Sequence, residues 1–234
     1  YPKNRNMRIF ILNIIPIVLF LCVASAQEAP ISASKKECVH KVIIDSIERN
    51  YYLHIPKNRK ANAPLIFVFP GYSGSALDIN SDNKFNPIAN ESGFDVCYPQ
   101  GLKDEKGKAF WQVGYNFHEN LKVNDVKFVK ILTHFLQNKY NLNKNYVFIT
   151  GFSIGGDFYN LLSCQTEVVF KAEAPIISCF MKEFYDQCDK AKAIPVFMLN
   201  GTHDQITYWD DDMTNPQGYG PYIPTVDMID FRTQ

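Results

Sequence analysis

Tyr146-Val147-Phe148-Ile149-Thr150-Gly151-Phe152-Ser153-Ile154-Gly155-Gly156 is a short apolar run that ends in Thr-Gly and passes at once into a glycine-flanked serine. An apolar run of this length without alternation reads as a strand buried on both faces. The Gly-x-Ser-x-Gly that follows reads as a sharp turn from that strand into a helix. The apex residue of such a turn takes a strained backbone conformation, and its neighbours must lack side chains to avoid collision. Ser153 then stands at a helix start, where free N–H groups and the helix dipole favour developing negative charge. The N–H of Ile154 is the expected donor. No Gly-Lys-Ser/Thr and no Gly-x-Gly-x-x-Gly accompanies these glycines, so a phosphate-binding loop is not indicated.

Two further runs have the same character: Leu65 to Phe69, closed by Pro70-Gly71, and Pro195 to Leu199, closed by Asn200-Gly201. Between them Val126 to Tyr140 places apolar residues at Val126, Val129, Ile131, Leu132, Phe135, Leu136 and Tyr140. This is close to a helical period, and Asn124 or Asp125 is positioned to cap it. Cys38 to Pro56 alternates in the manner of an antiparallel pair, and Val226 to Phe231 reads as a helix. Buried strands alternating with amphipathic helices predict an α/β fold with a mainly parallel central sheet and helices on both faces. Ligands of such sheets bind beyond the carboxyl ends of the strands, so the chemistry is sought at the ends of the three runs.

The first run ends in Gly71-Tyr72-Ser73-Gly74-Ser75, small enough for its backbone to approach a bound carbonyl, with Tyr72 N–H as the second oxyanion donor. The third ends in Gly201-Thr202-His203-Asp204, placed after Ser153 where a carboxylate is expected in the order serine, acid, histidine. Asp204 is preferred to Asp210, Asp211 and Asp212, which read as a solvated loop. A general base is harder to find among the five histidines. His40 and His54 belong to the N-terminal strands, His118 to a loop that touches substrate, and His134 to a partly buried helical position. His203 adjoins the acid, and adjacent loop side chains rarely aim at one nucleophile. The base is therefore expected beyond Gln234, and residues 1–234 alone are expected to have little activity. Trp111 and Trp209 are candidates to stack on an aromatic acyl group or a sugar ring, and equally for core packing.

Lys plus Arg equal Asp plus Glu at 24 each, so no net field points to nucleic acid or an anionic membrane. Arg8, the apolar stretch Ile9 to Val23 and the small residues Ala24-Ser25-Ala26 have the layout of a signal peptide over 7–26. Residues 1–6 read as upstream sequence and 27–234 as the domain. Export places the protein outside the cell or in the periplasm, with no membrane contact after signal removal. There the cysteines can pair; Cys179 and Cys188 are the expected disulfide, and Cys97 a small core residue. No Cys or His cluster has metal-ligand spacing, and no cofactor is expected.

Together these motifs resemble carbohydrate esterase family 1, which includes feruloyl and acetylxylan esterases and the related secreted polyhydroxybutyrate depolymerases. The resemblance covers about Glu48 to Phe231. It rests on Tyr52-Leu53-His54-Ile55-Pro56, the Gly71 to Ser75 loop, Tyr98-Pro99-Gln100-Gly101 with Trp111, the Gly151 to Gly156 elbow, and Gly201-Thr202-His203-Asp204 with Trp209 and Gly218-Tyr219-Gly220. Pro70 stands where the family usually has His, Gln205 where it has Pro, and the final Gly-His motif is absent. The resemblance implies an α/β-hydrolase fold and a serine esterase acting on ester-bearing polysaccharide or oligosaccharide. The alternatives are a polyester depolymerase, or a non-catalytic carbohydrate-binding protein on the same fold.

Overall fold

The ladder around Leu65 to Phe69 organises the molecule. The computed structural model describes residues 27–28, 39–82, 85–164, 170–188, 195–214 and 218–233; the segments 1–6 and 7–26, read above as upstream sequence and signal peptide, and Cys38 lie outside them. In chain order the elements begin with β1 (Gln27–Glu28), β2 (Val39–Ile44), β3 (Ile47–His54), β4 (Leu65–Phe69), α1 (Ala76–Asp82), α2 (Phe85–Ser92) and β5 (Asp95–Pro99). A small hairpin, β6 (Leu102–Lys103) and β7 (Ala109–Phe110), follows, then α3 (Asp125–Tyr140), β8 (Val147–Phe152), α4 (Ile154–Cys164), β9 (Phe170–Ile176), α5 (Lys182–Gln187) and α6 (Thr225–Thr233).

The large sheet has the order β1-β2-β3-β5-β4-β8-β9. β2 and β3 pair antiparallel, and so do β3 and β5, whereas β5, β4, β8 and β9 run parallel. Alternate residues of β4 feed two cores, as its unbroken apolar run predicts. Leu65, Phe67 and Phe69 pack with Phe128 and Leu132 of α3 and Phe158 and Leu162 of α4. Ile66 and Val68 pack with Ala76 and Ile79 of α1 and Phe85 and Ala89 of α2.

Pro195 to Leu199 departs from its expected form. It lies parallel to β9 through bridges Glu173–Val196 and Ile176–Leu199 but forms no continuous strand. No described strand pairs with its outer edge, and Phe197 and Leu199 are 72% and 55% exposed. Val196 and Met198 alone turn to the core.

α3 is capped by Asn124, whose side chain accepts the Lys127 N–H at 2.8 Å. Asp125, the other capping candidate, does different work. Its Oδ1 accepts the Arg49 guanidinium at 2.7 Å and its Oδ2 the Gln112 N–H at 2.8 Å, while Arg49 lies 3.9 Å above the Phe128 ring. Both members are buried, so the pair clamps β3, α3 and the segment after β7 together.

The expected Cys179–Cys188 disulfide is corrected: Cys188 bonds Cys164, across a sequence separation of 24. Cys164 is the last residue of α4, beside the end of α5. Cys179 is held inward, its N–H donating to Asp157, and stays a free buried thiol like Cys97.

Removing one partner of a buried ion pair strands the other charge. Arg49→Ala and Asp125→Ala should each destabilise the fold by about 3–5 kcal/mol in urea unfolding, whereas the apolar double replacement Arg49→Met, Asp125→Leu should recover most of that loss.

Candidate active site

The turn from β8 into α4 has the geometry its glycines imply. Ser153 holds φ 54°, in the left-handed region that costs a non-glycine residue roughly 1–3 kcal/mol. Its N–H donates to Ile176 O at 3.0 Å and its carbonyl accepts Asp157 N–H at 2.8 Å, so strand β9 and helix α4 both secure the strained residue. A Cβ on Gly151 would fall 2.2 Å from Gly155 O, and one on Gly155 would fall 2.4 Å from Phe69 O. A Cβ on Gly71 would sit 3.6 Å from that of Ser153, which puts the Gly71 to Ser75 loop directly on the elbow.

Ser153 lines a cavity of about 40 Å³ with Tyr72, Tyr115, Cys179, Tyr219, Tyr222 and the pair Ile206 and Thr207. Tyr72 lines this cavity and its N–H makes no backbone hydrogen bond among the described residues, while Ile154, the first residue of α4, follows Ser153 directly but is not in the lining.

Tyr72 is fixed from behind. Its hydroxyl donates to Asp104 Oδ2 at 2.5 Å, and burial together with that carboxylate pushes its pKa up to about 12. Burial pushes Asp104 up, but hydrogen bonds from Tyr72, the Lys108 and Lys106 N–H groups and His118 outweigh it and bring the carboxyl down to about 2. His118, read from sequence as touching substrate, is instead buried against Phe110 and Phe117 with Nε2 3.3 Å from Asp104 Oδ2. Burial lowers its pKa against the pull of Asp104.

Asp204 sits in a tight turn, its Oδ1 accepting the N–H groups of Ile206 and Thr207 at 2.8 Å each. Those two residues line the Ser153 cavity, while Asp204 itself does not. Of its rivals, Asp210 and Asp211 are exposed, but Asp212 is 1% exposed, contrary to the solvated-loop reading. Among the described residues no histidine lines the cavity. His40 stacks on Tyr51, His54 meets Asn90 Oδ1 at 2.9 Å, and His203 is exposed beside Thr202. His134, expected to be partly buried, is exposed on α3.

Trp111 is core, not a platform for substrate. It is 1% exposed between Phe69 and Phe158, and its indole N–H donates to Pro70 O at 3.0 Å, which steadies the start of the Gly71 to Ser75 loop. Trp209 is half-buried and outside the cavity lining, with its carbonyl accepting Thr225 N–H.

Asp157 is a site residue that the motif reading missed. One turn below Ser153, it is 4% exposed; Oδ2 accepts the Tyr115 hydroxyl and Oδ1 the Cys179 N–H at 2.7 Å. Both partners are cavity walls. Burial lifts its pKa to about 7. Its signal in the sequence was a carboxylate immediately after the elbow's last glycine, in a helix that is otherwise apolar there.

The strand-to-helix turn at Ser153 and the mainly parallel sheet place the chain among the α/β-hydrolases by fold. A solved carboxylesterase of Bacillus cereus has the same fold, at 21% identity and TM-score 0.50 over 68% of this chain and 73% of that one. No protein-family profile matches the chain. Curated relatives are esterases of the types the motifs resemble. The bifunctional acetylxylan esterase/xylanase XynS20E of Neocallimastix patriciarum is 25% identical over 158 residues, 68% of this chain and 22% of that protein. Feruloyl esterase B of Piromyces equi is 27% identical over 154 residues, 65% of this chain and 28% of that one. The chain thus spans about a quarter of the length of these relatives.

The folded protein holds the Asp157 proton up to about pH 7, whereas the unfolded chain releases it near 3.8. Stability from this group is therefore complete below that lower value and is lost as pH rises through 7. Glu173, raised to about 8 by burial, acts in the same direction from 4.5. Urea midpoints measured from pH 4 to 9 should fall across this window, and Asp157→Asn should flatten the fall below pH 7.

Proposed function

We propose that this chain is the serine-esterase part of a secreted enzyme that removes acyl groups from esterified plant polysaccharide, of the feruloyl or acetylxylan type. The observation that carries the reading is Ser153 at φ 54° on a glycine-flanked strand-to-helix turn, lining a small cavity with Tyr72. In this mechanism the Ser153 hydroxyl attacks the ester carbonyl, the Tyr72 and Ile154 N–H groups hold the oxyanion, and water releases the acid from the acyl-serine. Asp204 orients an imidazole and stabilises its charged form without taking its proton. Among the described residues no histidine lines the cavity to serve as that imidazole. Secretion is supported by the 7–26 segment and by the Cys164–Cys188 bond, which belongs to oxidising compartments.

A polyester depolymerase remains the second enzymatic reading through the same family resemblance. A non-catalytic carbohydrate-binding reading draws on one observation, the lack of a histidine in the described cavity lining. Rates on p-nitrophenyl acetate, methyl ferulate and a polyhydroxybutyrate suspension separate these readings when the full-length natural protein is compared with its Ser153→Ala variant. The esterase reading expects the wild type to cleave the soluble esters and the variant to lose about a thousandfold or more of that rate. Equal rates for the two proteins would falsify the nucleophile assignment, and hydrolysis of the suspension alone would favour the depolymerase.

A further inference from the structure

On the far side of the oxyanion loop from Ser153 lies a second, larger hollow. Tyr72 faces the serine cavity, whereas Ser73 to Ser75 line a groove of about 620 Å³ whose opposite wall is the β6–β7 hairpin. The groove is polar and firmly built. Ser73 N–H donates to Ala109 O at 2.8 Å, Gln100 N–H to Asn50 O at 2.9 Å, and the Gln100 side chain accepts Ala76 N–H and donates to Gly74 O. Asn50 Oδ1, also in this wall, is buried without a hydrogen-bond partner.

Lys103 and Lys108 line the same groove, both exposed. Neither forms an ion pair with a carboxylate among the described residues. The hairpin has two carboxylates of its own. Asp104 turns inward, its oxygens held by Tyr72, His118 and the N–H groups of Lys106 and Lys108. Glu105 does not line the groove. Two exposed lysines without a carboxylate partner among the described residues thus belong to the lining of a trough of hydroxyl, amide and backbone groups that shares a wall with the loop proposed to hold the oxyanion.

We propose that this groove binds the sugar portion of the ester, and that it takes an acidic oligosaccharide whose uronic carboxylate is recognised by Lys103 and Lys108. The volume falls within the range of small-molecule sites, and the lining offers hydrogen bonds suited to sugar hydroxyls in place of aromatic faces. A carboxylate that accepts from a lysine ammonium forms charge-assisted hydrogen bonds stronger than those of a neutral hydroxyl. The assignment rests on the esterase reading for its role, since it places the alcohol side of the substrate beside the oxyanion loop. Its binding chemistry does not need turnover.

The test is calorimetric titration of the full-length protein with two unesterified ligands of equal chain length: a xylo-oligosaccharide carrying one glucuronic acid, and its neutral counterpart. The acidic ligand should bind about tenfold or more tightly than the neutral one, a preference that shrinks as salt rises. Lys103→Met and Lys108→Met should each reduce it, and together abolish it, with the neutral ligand's affinity, the thermal midpoint and p-nitrophenyl acetate hydrolysis unchanged. Equal binding of the two ligands, or a preference that survives the double replacement, overturns the proposal. A protein that binds the acidic ligand as described yet cleaves no ester would count against the esterase reading and leave the groove assignment standing.

Discussion

The site depends on a place where polypeptide backbones meet without side chains between them. Gly151 lies against Gly155, Gly155 against the carbonyls of Phe69 and Pro70, and Gly71 against Phe152 and Ser153. The contacts of Gly151 and Gly155 leave less room than a methyl group requires, and that of Gly71 with Phe152 is tight. β8 can therefore turn into α4 and bring β4's own terminal loop within reach of the serine. The strained φ of Ser153 is tolerated because Ile176 and Asp157 hold its amide and carbonyl from opposite sides.

Around that crossing, aromatic and ionisable side chains form a second layer that acts through position. Trp111 reaches from the core to the Pro70 carbonyl, Asp104 holds the Tyr72 ring, and Asp157 ties Tyr115 to the Cys179 backbone. These groups lie behind the cavity or form its wall. Burial raises the proton affinity of both carboxyls: at Asp104 the hydrogen-bond donors outweigh it and hold the anion, while at Asp157 burial outweighs the Tyr115 and Cys179 donors and the proton is kept to near neutrality.

Much of this was legible before any coordinates. The unbroken run Leu65 to Phe69 read as a doubly buried strand, and β4 feeds two separate cores. The elbow motif located the helix start because its glycines answer a local steric demand that depends on few neighbours. Legibility failed where the answer depends on partners distant in sequence. Asp125 resembles a cap in isolation and is a buried counter-ion only because β3 brings Arg49 to it from 76 residues away. Trp111 has the composition of a binding platform, and only packing between Phe69 and Phe158 shows that it is core. The cysteine pairing failed for the same reason: proximity along the chain favoured Cys179, while the end of α4 delivered Cys164. Asp157 was missed because the motif reading stopped at Gly156.

The Cys164–Cys188 bond bears on Ser153 from the opposite end of the neighbouring helix. α4 runs from Ile154, next to Ser153, to Cys164 itself, so one terminus is wedged under the glycine crossing and the other is covalently moored to the segment after α5. A helix restrained in this way has little freedom to slide along its axis or to unwind from its last turn. The height of the Ser153 hydroxyl above the sheet is thus a property of the whole rod, and the redox state at its far end becomes part of what keeps that oxygen in register with the Gly71 to Ser75 loop.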